Sequence, residues 1–204
     1  MKLVVVSAGL SVPSSTRLLA DRLAAATAER VSAVAAEPEV QVVELRDLAV
    51  EIAHHFTNGF PGRQLAAALD AVADADGLIV VTPVFSASYS GLFKSFFDVM
   101  EKDALAGKPV LIAATGGTAR HSLVLEHALR PLFAYLRAVV VPTEVYAASE
   151  DWGAEGLPER VERAAGELAA LAGGLSAARP ARPARTALDV VPFEEQLAAL
   201  RPAG

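Results

Sequence analysis

Short runs of apolar, largely β-branched residues recur along the chain and alternate with longer segments rich in Ala and Leu. The runs predict five β-strands, over residues 3–7, 40–45, 77–82, 109–114 and 138–142. The segments between them repeat apolar residues at i, i+3 and i+4, which predicts helices over 15–30, 62–73, 88–102, 119–136 and 158–172. Residues 54–58, which follow the second strand, are interpreted as a loop.

The run Leu78-Ile79-Val80-Val81 has no polar alternation, as expected for a parallel strand buried on both faces. Alternating strands and helices predict a doubly wound α/β domain. We expect a flavodoxin-like, five-stranded parallel sheet of order 2-1-3-4-5 with helices on both faces. Ligands of such sheets bind beyond the carboxyl ends of the strands, so functional residues are expected just after Ser7, Thr82 and Ala114.

A chain of 204 residues that is 53% hydrophobic can bury one sizeable core. We assign residues 1–172 to one domain that binds its ligand at the strand ends. Residues 173–204 are rich in Ala, Arg and Pro, which is typical of a linker. They include the apolar cluster Val190-Val191-Pro192-Phe193, so we interpret this segment as a linker and docking tail.

The formal charge of −6 and the scattered basic residues argue against binding to nucleic acid. Cysteine is absent, which excludes disulfides and thiolate chemistry. The apolar run at residues 3–6 is too short for a signal peptide or a membrane span, so we expect a cytoplasmic protein without membrane contact. His54, His55 and Glu51 have no further ligand at a suitable spacing, so no metal site is predicted.

The first strand-end loop is rich in hydroxyl groups, which are carried by Ser7, Ser14, Ser15 and Thr16. A helix N-terminus offers unpaired amides and a partial positive charge, and hydroxyls there add donors for a phosphate dianion. Ordinary helix capping by Ser14 or Ser15 is the alternative interpretation. Arg17 is a second candidate partner for a phosphate.

The second loop alternates aromatic and small residues from Pro83 to Gly91. Pro83, Phe85 and Tyr89 offer apolar surface for a flat ring, and Ser86, Ser88 and Gly91 leave room for it. The alternative is a plain turn with its aromatic residues in the core. We expect core positions for the aromatics of the following helix, which are Phe93, Phe96 and Phe97.

The third loop contains Thr115-Gly116-Gly117 directly after a buried strand. Paired glycines let the backbone approach a ligand closely, and their amides can donate to a ring carbonyl. As a turn signal alone the pair is weak, and its position beside the other two loops makes it informative.

These segments together, Ser7 with Pro13-Ser14-Ser15-Thr16, the stretch from Pro83 to Lys94, and Thr115-Gly116-Gly117, resemble the NADPH-dependent FMN reductase family over residues 1–149. More narrowly, the chain is similar to actinobacterial FMN reductases that accompany luciferase-like monooxygenases and to sulfonate-utilisation flavin reductases. The resemblance implies that the FMN phosphate binds at Ser7, Ser14, Ser15 and Thr16. It also implies that Pro83, Val84, Phe85 and Ser86 line the flavin ring and ribityl chain, and that Thr115, Gly116 and Gly117 contact the pyrimidine edge.

The implied reaction is hydride transfer from NAD(P)H to FMN, with the product passing to a flavin-dependent monooxygenase. No catalytic side chain is predicted, because the cofactor carries the chemistry. The resemblance also implies a homo-oligomer, either a dimer or a tetramer. An FMN-dependent quinone or azo-compound reductase and a flavodoxin-type electron carrier remain alternatives, although the T/S-x-T-G-x-T loop of a carrier is missing. A hydrolase would require a G-x-S-x-G motif, which the sequence does not contain.

Overall fold

The computed structural model describes residues 1–176. Its strands are β1 (Lys2–Ser7), β2 (Glu39–Glu44), β3 (Gly77–Phe85), β4 (Ser88–Tyr89), β5 (Pro109–Gly116), β6 (Val139–Val140) and β7 (Val145–Ala148). The α-helices are α1 (Ser15–Ser32), α2 (Leu45–Asn58), α3 (Arg63–Asp74), α4 (Gly91–Asp98), α5 (Arg130–Tyr135) and α6 (Gly156–Ser176). Two 3-10 turns (Ala119–His121 and Ser149–Gly153) and one π-helical turn (Leu125–Leu129) complete the fold.

The central sheet has the order β2-β1-β3-β5, and both β6 and β7 pair with β5. All of these pairings are parallel. The predicted order 2-1-3-4-5 is therefore confirmed, with the fifth position shared by two short strands. The fifth strand was expected at residues 138–142, but its ladder stops at the amide of Val141 and resumes at Val145. Pro142 lies in the gap and has no amide to donate.

Helix α2 was missed by the sequence interpretation, which treated residues 54–58 as a loop. In the structure these residues form the last turns of α2. Leu45, Leu48 and Ile52 form its buried stripe, and Gly59 ends the helix in a left-handed conformation with φ 78°. The amphipathic spacing and the terminal glycine were both visible signals.

The two faces of the sheet are covered by different helices. Leu3, Val5, Ile79 and Val81 point to the side packed by α1 and α6. Their neighbours in the same strands point to the opposite side, which is covered by α2, α3, α4 and the segment that ends in α5. Phe93, Phe96 and Phe97 of α4 are buried on that side, as predicted.

Two further predicted helices are shorter than expected. Helix α4 starts only at Gly91, because residues 88–89 pair with the outer end of β3 as β4. The segment 119–136 is divided into a 3-10 turn, a π-helical turn and α5. As a result, the β3–α4 connection is a short hairpin and the β5–α5 connection is a series of tight helical turns, both at the edge where ligands are expected.

Helix α6 continues to Ser176, four residues beyond the predicted end of the domain. The rest of the predicted tail, including its apolar cluster at residues 190–193, lies outside the described residues. Within residues 1–176, no helix is both long enough and apolar enough to cross a membrane.

Candidate functional site

The three predicted loops meet at one edge of the sheet. In the register of the strands, Ser7 at the end of β1 lies opposite Val81 of β3, and Pro83 of β3 lies opposite Thr115 of β5. Because the strands are parallel, their carboxyl ends open at the same edge. The structure therefore brings together the three segments that the sequence placed far apart.

Ser7 is fully buried, and its Oγ has no hydrogen-bond partner among the described residues. The loop after it folds tightly against the start of α1. A Cβ built on Gly9 would lie 2.1 Å from Ser14 Oγ and 3.2 Å from Thr16 Cβ. A side chain at position 9 would have to displace the Ser14 hydroxyl, so glycine lets the first loop lie close to the start of α1.

Ser14 is the N-cap of α1, and its Oγ accepts a hydrogen bond of 3.2 Å from the amide of Arg17. The capping interpretation is therefore confirmed for Ser14. The amides of Ser15 and Thr16 have no acceptor within the helix, as at any helix start. The first turn of α1 contains no acidic residue, so nothing there opposes the positive end of the helix dipole.

Thr16 connects the first loop to the third. Its side chain is 2% exposed, and its Oγ1 shares a hydrogen bond of 2.8 Å with Thr115 Oγ1. A hydroxyl has one donor hydrogen and two acceptor lone pairs, so the threonine that accepts in this bond keeps its hydrogen for a ligand, and the other keeps only acceptor capacity. This contact is the direct link between two sets of predicted site residues.

Arg17 was a candidate partner for a phosphate, but its guanidinium is engaged elsewhere. Its Nε lies 2.7 Å from Asp21 Oδ1, and its Nη1 donates to Glu44 at the end of β2. The hydrogen bond to Asp21, against the effect of burial, raises the pKa of Arg17 above its ordinary value. Arg46 also pairs with Glu44 and donates to the carbonyl of Ser11, which ties the first loop to β2.

The second loop is a β-hairpin that projects beyond the sheet. Val84 and Phe85 pair with β4 in antiparallel register, and the turn between them contains Ser86 and Ala87, with φ of 49° and 66°. Phe85 is 48% exposed and offers apolar surface at this edge. At the base of the hairpin, Thr82 Oγ1 accepts the amide of Ser90 at 3.0 Å.

The third loop depends on a residue that the sequence analysis did not single out. A Cβ built on Gly116 would lie 2.1 Å from the Oη of Tyr146, on β7, whereas a Cβ on Gly117 would meet nothing within 4 Å among residues 1–176. The expectation that both glycines serve close approach to a ligand is thus modified for Gly116, which is packed against this tyrosine. No local signal marks Tyr146, because its role arises from the pairing of β7 with β5.

A cavity of about 360 Å³ lies beside this loop, and the residues that line it are Ala119, Ser122, Leu123, Leu125, Glu144, Tyr146, Asp151 and Arg160. Burial raises the pKa of Glu144, although Arg130 acts in the opposite direction through a contact of 2.7 Å. Burial, together with Asp151 and Glu150, also raises the pKa of Tyr146. The tyrosine is therefore a neutral hydrogen-bond donor at physiological pH.

Strand-end loops of this kind on a 2-1-3-4-5 parallel sheet define the class of flavodoxin-like proteins, in which FMN binds at the switch point between β1 and the third strand. A flavodoxin from the domain Archaea has the same fold, with a TM-score of 0.58 at 15% identity, covering 85% of this chain and 99% of that one. The family described as NADPH-dependent FMN reductase matches residues 1–153, and the chain belongs to this family.

Relatives and solved structures agree with this membership. The chain is 39% identical over 180 residues to an FMN reductase (NADPH) of Pseudomonas aeruginosa, which covers 86% of this chain and 94% of that protein. It is 38% identical over 178 residues to the NADH-dependent FMN reductase SfnF of Pseudomonas fluorescens, covering 85% of this chain and 92% of the relative.

Among solved structures, an oxidoreductase from Corynebacterium diphtheriae superimposes with a TM-score of 0.83 at 50% identity, covering 85% of this chain and 97% of that one. The NADH:FMN oxidoreductase EMOB in its apo form has a TM-score of 0.66 at 30% identity, covering 89% of this chain and 91% of that one. The protein is therefore an NAD(P)H-dependent FMN reductase with FMN and a nicotinamide as its cofactors.

Proposed function

We propose that this protein binds FMN across the three strand-end loops, transfers a hydride to it from NAD(P)H, and releases the reduced flavin to a monooxygenase. The observation that carries the binding proposal is the fully buried hydroxyl of Ser7, which has no partner among the described residues. Buried hydroxyls are nearly always hydrogen-bonded, so an acceptor from a ligand is expected here. A phosphate ester supplies such an acceptor.

The phosphate is assigned to Ser7, Ser14, Ser15 and Thr16. The amides of Ser15 and Thr16 lack intrahelical acceptors, and the absence of acidic residues in the first turn of α1 favours a dianion. The hydroxyl of Ser7 adds a donor, and that of Thr16 adds a second one when Thr115 is the donor of the bond between the two threonines. Because Arg17 is held by Asp21 and Glu44, the phosphate is left to neutral donors.

The flavin ring and ribityl chain are assigned to Pro83, Val84, Phe85 and Ser86 of the hairpin. The pyrimidine edge is assigned to Thr115, Gly116 and Gly117. Two features support this arrangement: Phe85 exposes apolar surface at the sheet edge, and no described residue fills the space around the Cβ position of Gly117. A flat, partly apolar ligand with polar edges fits these surroundings.

Bound FMN would supply the acceptor for the hydride of NAD(P)H. The protein's own residues contribute binding and alignment, since hydride transfer between stacked rings requires close approach rather than an acid or a base. This requirement agrees with the composition of the assigned site, which consists of hydroxyl, apolar and glycine residues. No catalytic side chain is assigned.

Release to a monooxygenase rests on the resemblance to flavin reductases that accompany such enzymes. A homo-oligomer and a cytoplasmic location stay predictions.

The first test is NAD(P)H oxidation by the purified protein, with and without added FMN. Turnover that requires FMN and continues through many equivalents of flavin supports a reductase that releases its product. Oxidation that saturates after one equivalent would contradict release. Faster turnover with a quinone or azo dye than with free FMN would favour the alternative acceptor.

The second test is Ser7→Ala, which removes the unpartnered hydroxyl and no hydrogen bond within residues 1–176. We expect the melting temperature of the ligand-free protein to be unchanged. The affinity for FMN should fall about 10- to 100-fold, the value of one charge-assisted hydrogen bond of about 1.5–3 kcal/mol. The affinity for riboflavin, which lacks the phosphate, should change little.

The matched control is Ser32→Ala at the exposed C-terminal end of the same helix, which should leave both affinities unchanged. Equal losses for FMN and riboflavin in Ser7→Ala would contradict the phosphate assignment.

A further inference from the structure

Tyr146 connects β7 to the glycine loop of β5. The strands pair with Ala114 opposite Tyr146 and Thr115 opposite Ala147, so the ring of Tyr146 lies close to the point where β5 ends. The side chain is largely buried, with 7% of the residue exposed. Its hydroxyl donates a hydrogen bond of 2.8 Å to the carbonyl oxygen of Thr118. The bond therefore joins β7 to the far end of the Gly116–Thr118 turn.

The same hydroxyl occupies the space in which a side chain at Gly116 would lie. A Cβ there would be 2.1 Å from Tyr146 Oη and 3.1 Å from Cζ, and no other described residue lies as close. Real Cβ atoms essentially never approach an oxygen so closely, so a larger residue at position 116 would have to displace the tyrosine hydroxyl. Gly116 and Tyr146 thus form one packing unit beneath the loop.

Tyr146 is itself anchored by the following segment. Its carbonyl accepts a hydrogen bond of 3.3 Å from Arg160 Nη2 of α6, and Arg160 also lies 3.4 Å from Asp151 Oδ1. The other carboxylate oxygen of Asp151 accepts the amide of Ala148 at 2.8 Å. A buried ring on a strand fixed in this way has little freedom to move, so its hydroxyl is a stable support for the loop.

We infer that Tyr146 is a positioning residue for flavin binding: its hydroxyl holds the Gly116–Thr118 turn so that the amide of Gly117 faces the ring edge of the bound flavin. This inference rests on the proposed function, because it takes the ring to bind at this loop. It predicts that loss of the hydroxyl weakens the binding of the flavin ring and leaves unchanged the binding of the phosphate, which is assigned to the first loop.

The primary variant is Tyr146→Phe, which keeps the buried ring and removes the hydroxyl. The carbonyl of Thr118 is at an exposed position and can bond water, so the melting temperature should change little. We expect the Kd for FMN and for riboflavin to rise together, by about three- to tenfold, as for the loss of one neutral hydrogen bond. The visible spectrum of the bound flavin should shift, because the surroundings of its ring edge change. The control is Tyr135→Phe, at an exposed position, which should match the wild type.

The second variant pair tests the packing unit. Gly116→Ala in the wild-type background should weaken binding of both flavins strongly, since its Cβ collides with the tyrosine hydroxyl. In the Tyr146→Phe background the same substitution should raise the Kd for both flavins by a several-fold smaller factor, because the nearest colliding atom is gone. Such non-additivity is the signature of direct coupling between two residues.

The outcomes separate this inference from the proposed function. If the wild type binds neither flavin, both fail. If the wild type binds FMN and Tyr146→Phe retains its Kd and spectrum, the positioning role alone is overturned. A loss for FMN but not for riboflavin, or equal costs of Gly116→Ala in the two backgrounds, would overturn it as well.

Discussion

Ser7 and Lys108 are both fully buried polar residues, and they lie at opposite edges of the central sheet. Ser7 ends β1 at the carboxyl edge and has no partner among the described residues. Lys108 precedes β5 at the amino edge, and its Nζ donates to the carbonyls of Ala73 and Ala75 at the C-terminal end of α3. A buried group without a partner indicates ligand binding, whereas a buried group with satisfied partners indicates structure.

We predict that Lys108→Met is destabilising and leaves flavin binding intact. The variant removes a charged donor from the negative end of a helix and leaves buried carbonyls without that partner. The free energy of unfolding should fall by about 2–4 kcal/mol in urea denaturation. The Kd for FMN of the folded variant should equal that of the wild type, because the site is at the other edge. Lys102→Met, at an exposed position, serves as the control and should change stability by less than about 0.5 kcal/mol.

The residue types of the site were predictable from the sequence, but their partners were not. Hydroxyls before a helix and glycines after a strand are local patterns, and they identified Ser14 and Gly116. The bond between Thr16 and Thr115 joins residues 99 positions apart. The contact of Gly116 with Tyr146 likewise exists only once β7 pairs with β5.

At the scale of single elements, the hairpin of the second loop carries local backbone strain. Ser86 and Ala87 both have positive φ, a conformation that costs a non-glycine residue about 1 kcal/mol or more. Two-residue hairpin turns of this type normally contain Gly or Asn, because these residues tolerate positive φ. This turn contains neither glycine nor asparagine, and it borders the proposed binding site of the flavin ring.

We predict that Ala87→Gly raises the free energy of unfolding by about 0.5–1 kcal/mol, because glycine adopts φ of 66° without a steric penalty. Chemical denaturation measures the effect. The comparison variant is Ala53→Gly, on the exposed side of α2, which should lower stability by about 1 kcal/mol as in other helix interiors. If Ala87→Gly were destabilising like Ala53→Gly, the turn would not have the strained geometry.

At the scale of the whole molecule, α6 ends far from the site. A Cβ on Gly77, the first residue of β3, would lie 3.4 Å from Ala172 Cβ, so the last turns of α6 are at the amino edge of the sheet. The last turns of α6 therefore lie at the edge opposite to the proposed flavin site. The apolar cluster of Val190, Val191 and Phe193 in the predicted tail could bury enough surface to contribute several kcal/mol, at about 25 cal/mol per Å².

We predict that truncation after Ser176 reduces the number of subunits in the assembly or lowers the melting temperature, and that it leaves the Kd for FMN unchanged. Light scattering, thermal melting and FMN titration measure these three properties. An unchanged number of subunits together with an unchanged melting temperature would contradict a docking role for the tail. Loss of FMN binding alone would instead assign the tail to the flavin site.

The sequence by itself determined the class of fold, the order of the sheet and the three segments proposed to form the site. These features depend on hydrophobic periodicity and on turn residues, which are local properties of the chain. The tertiary structure alone decided the split of the fifth strand, the engagement of Arg17 by Asp21 and Glu44, and the place of Tyr146 beneath Gly116. Each of these depends on which distant residues become neighbours, and a local pattern carries no information about such pairs.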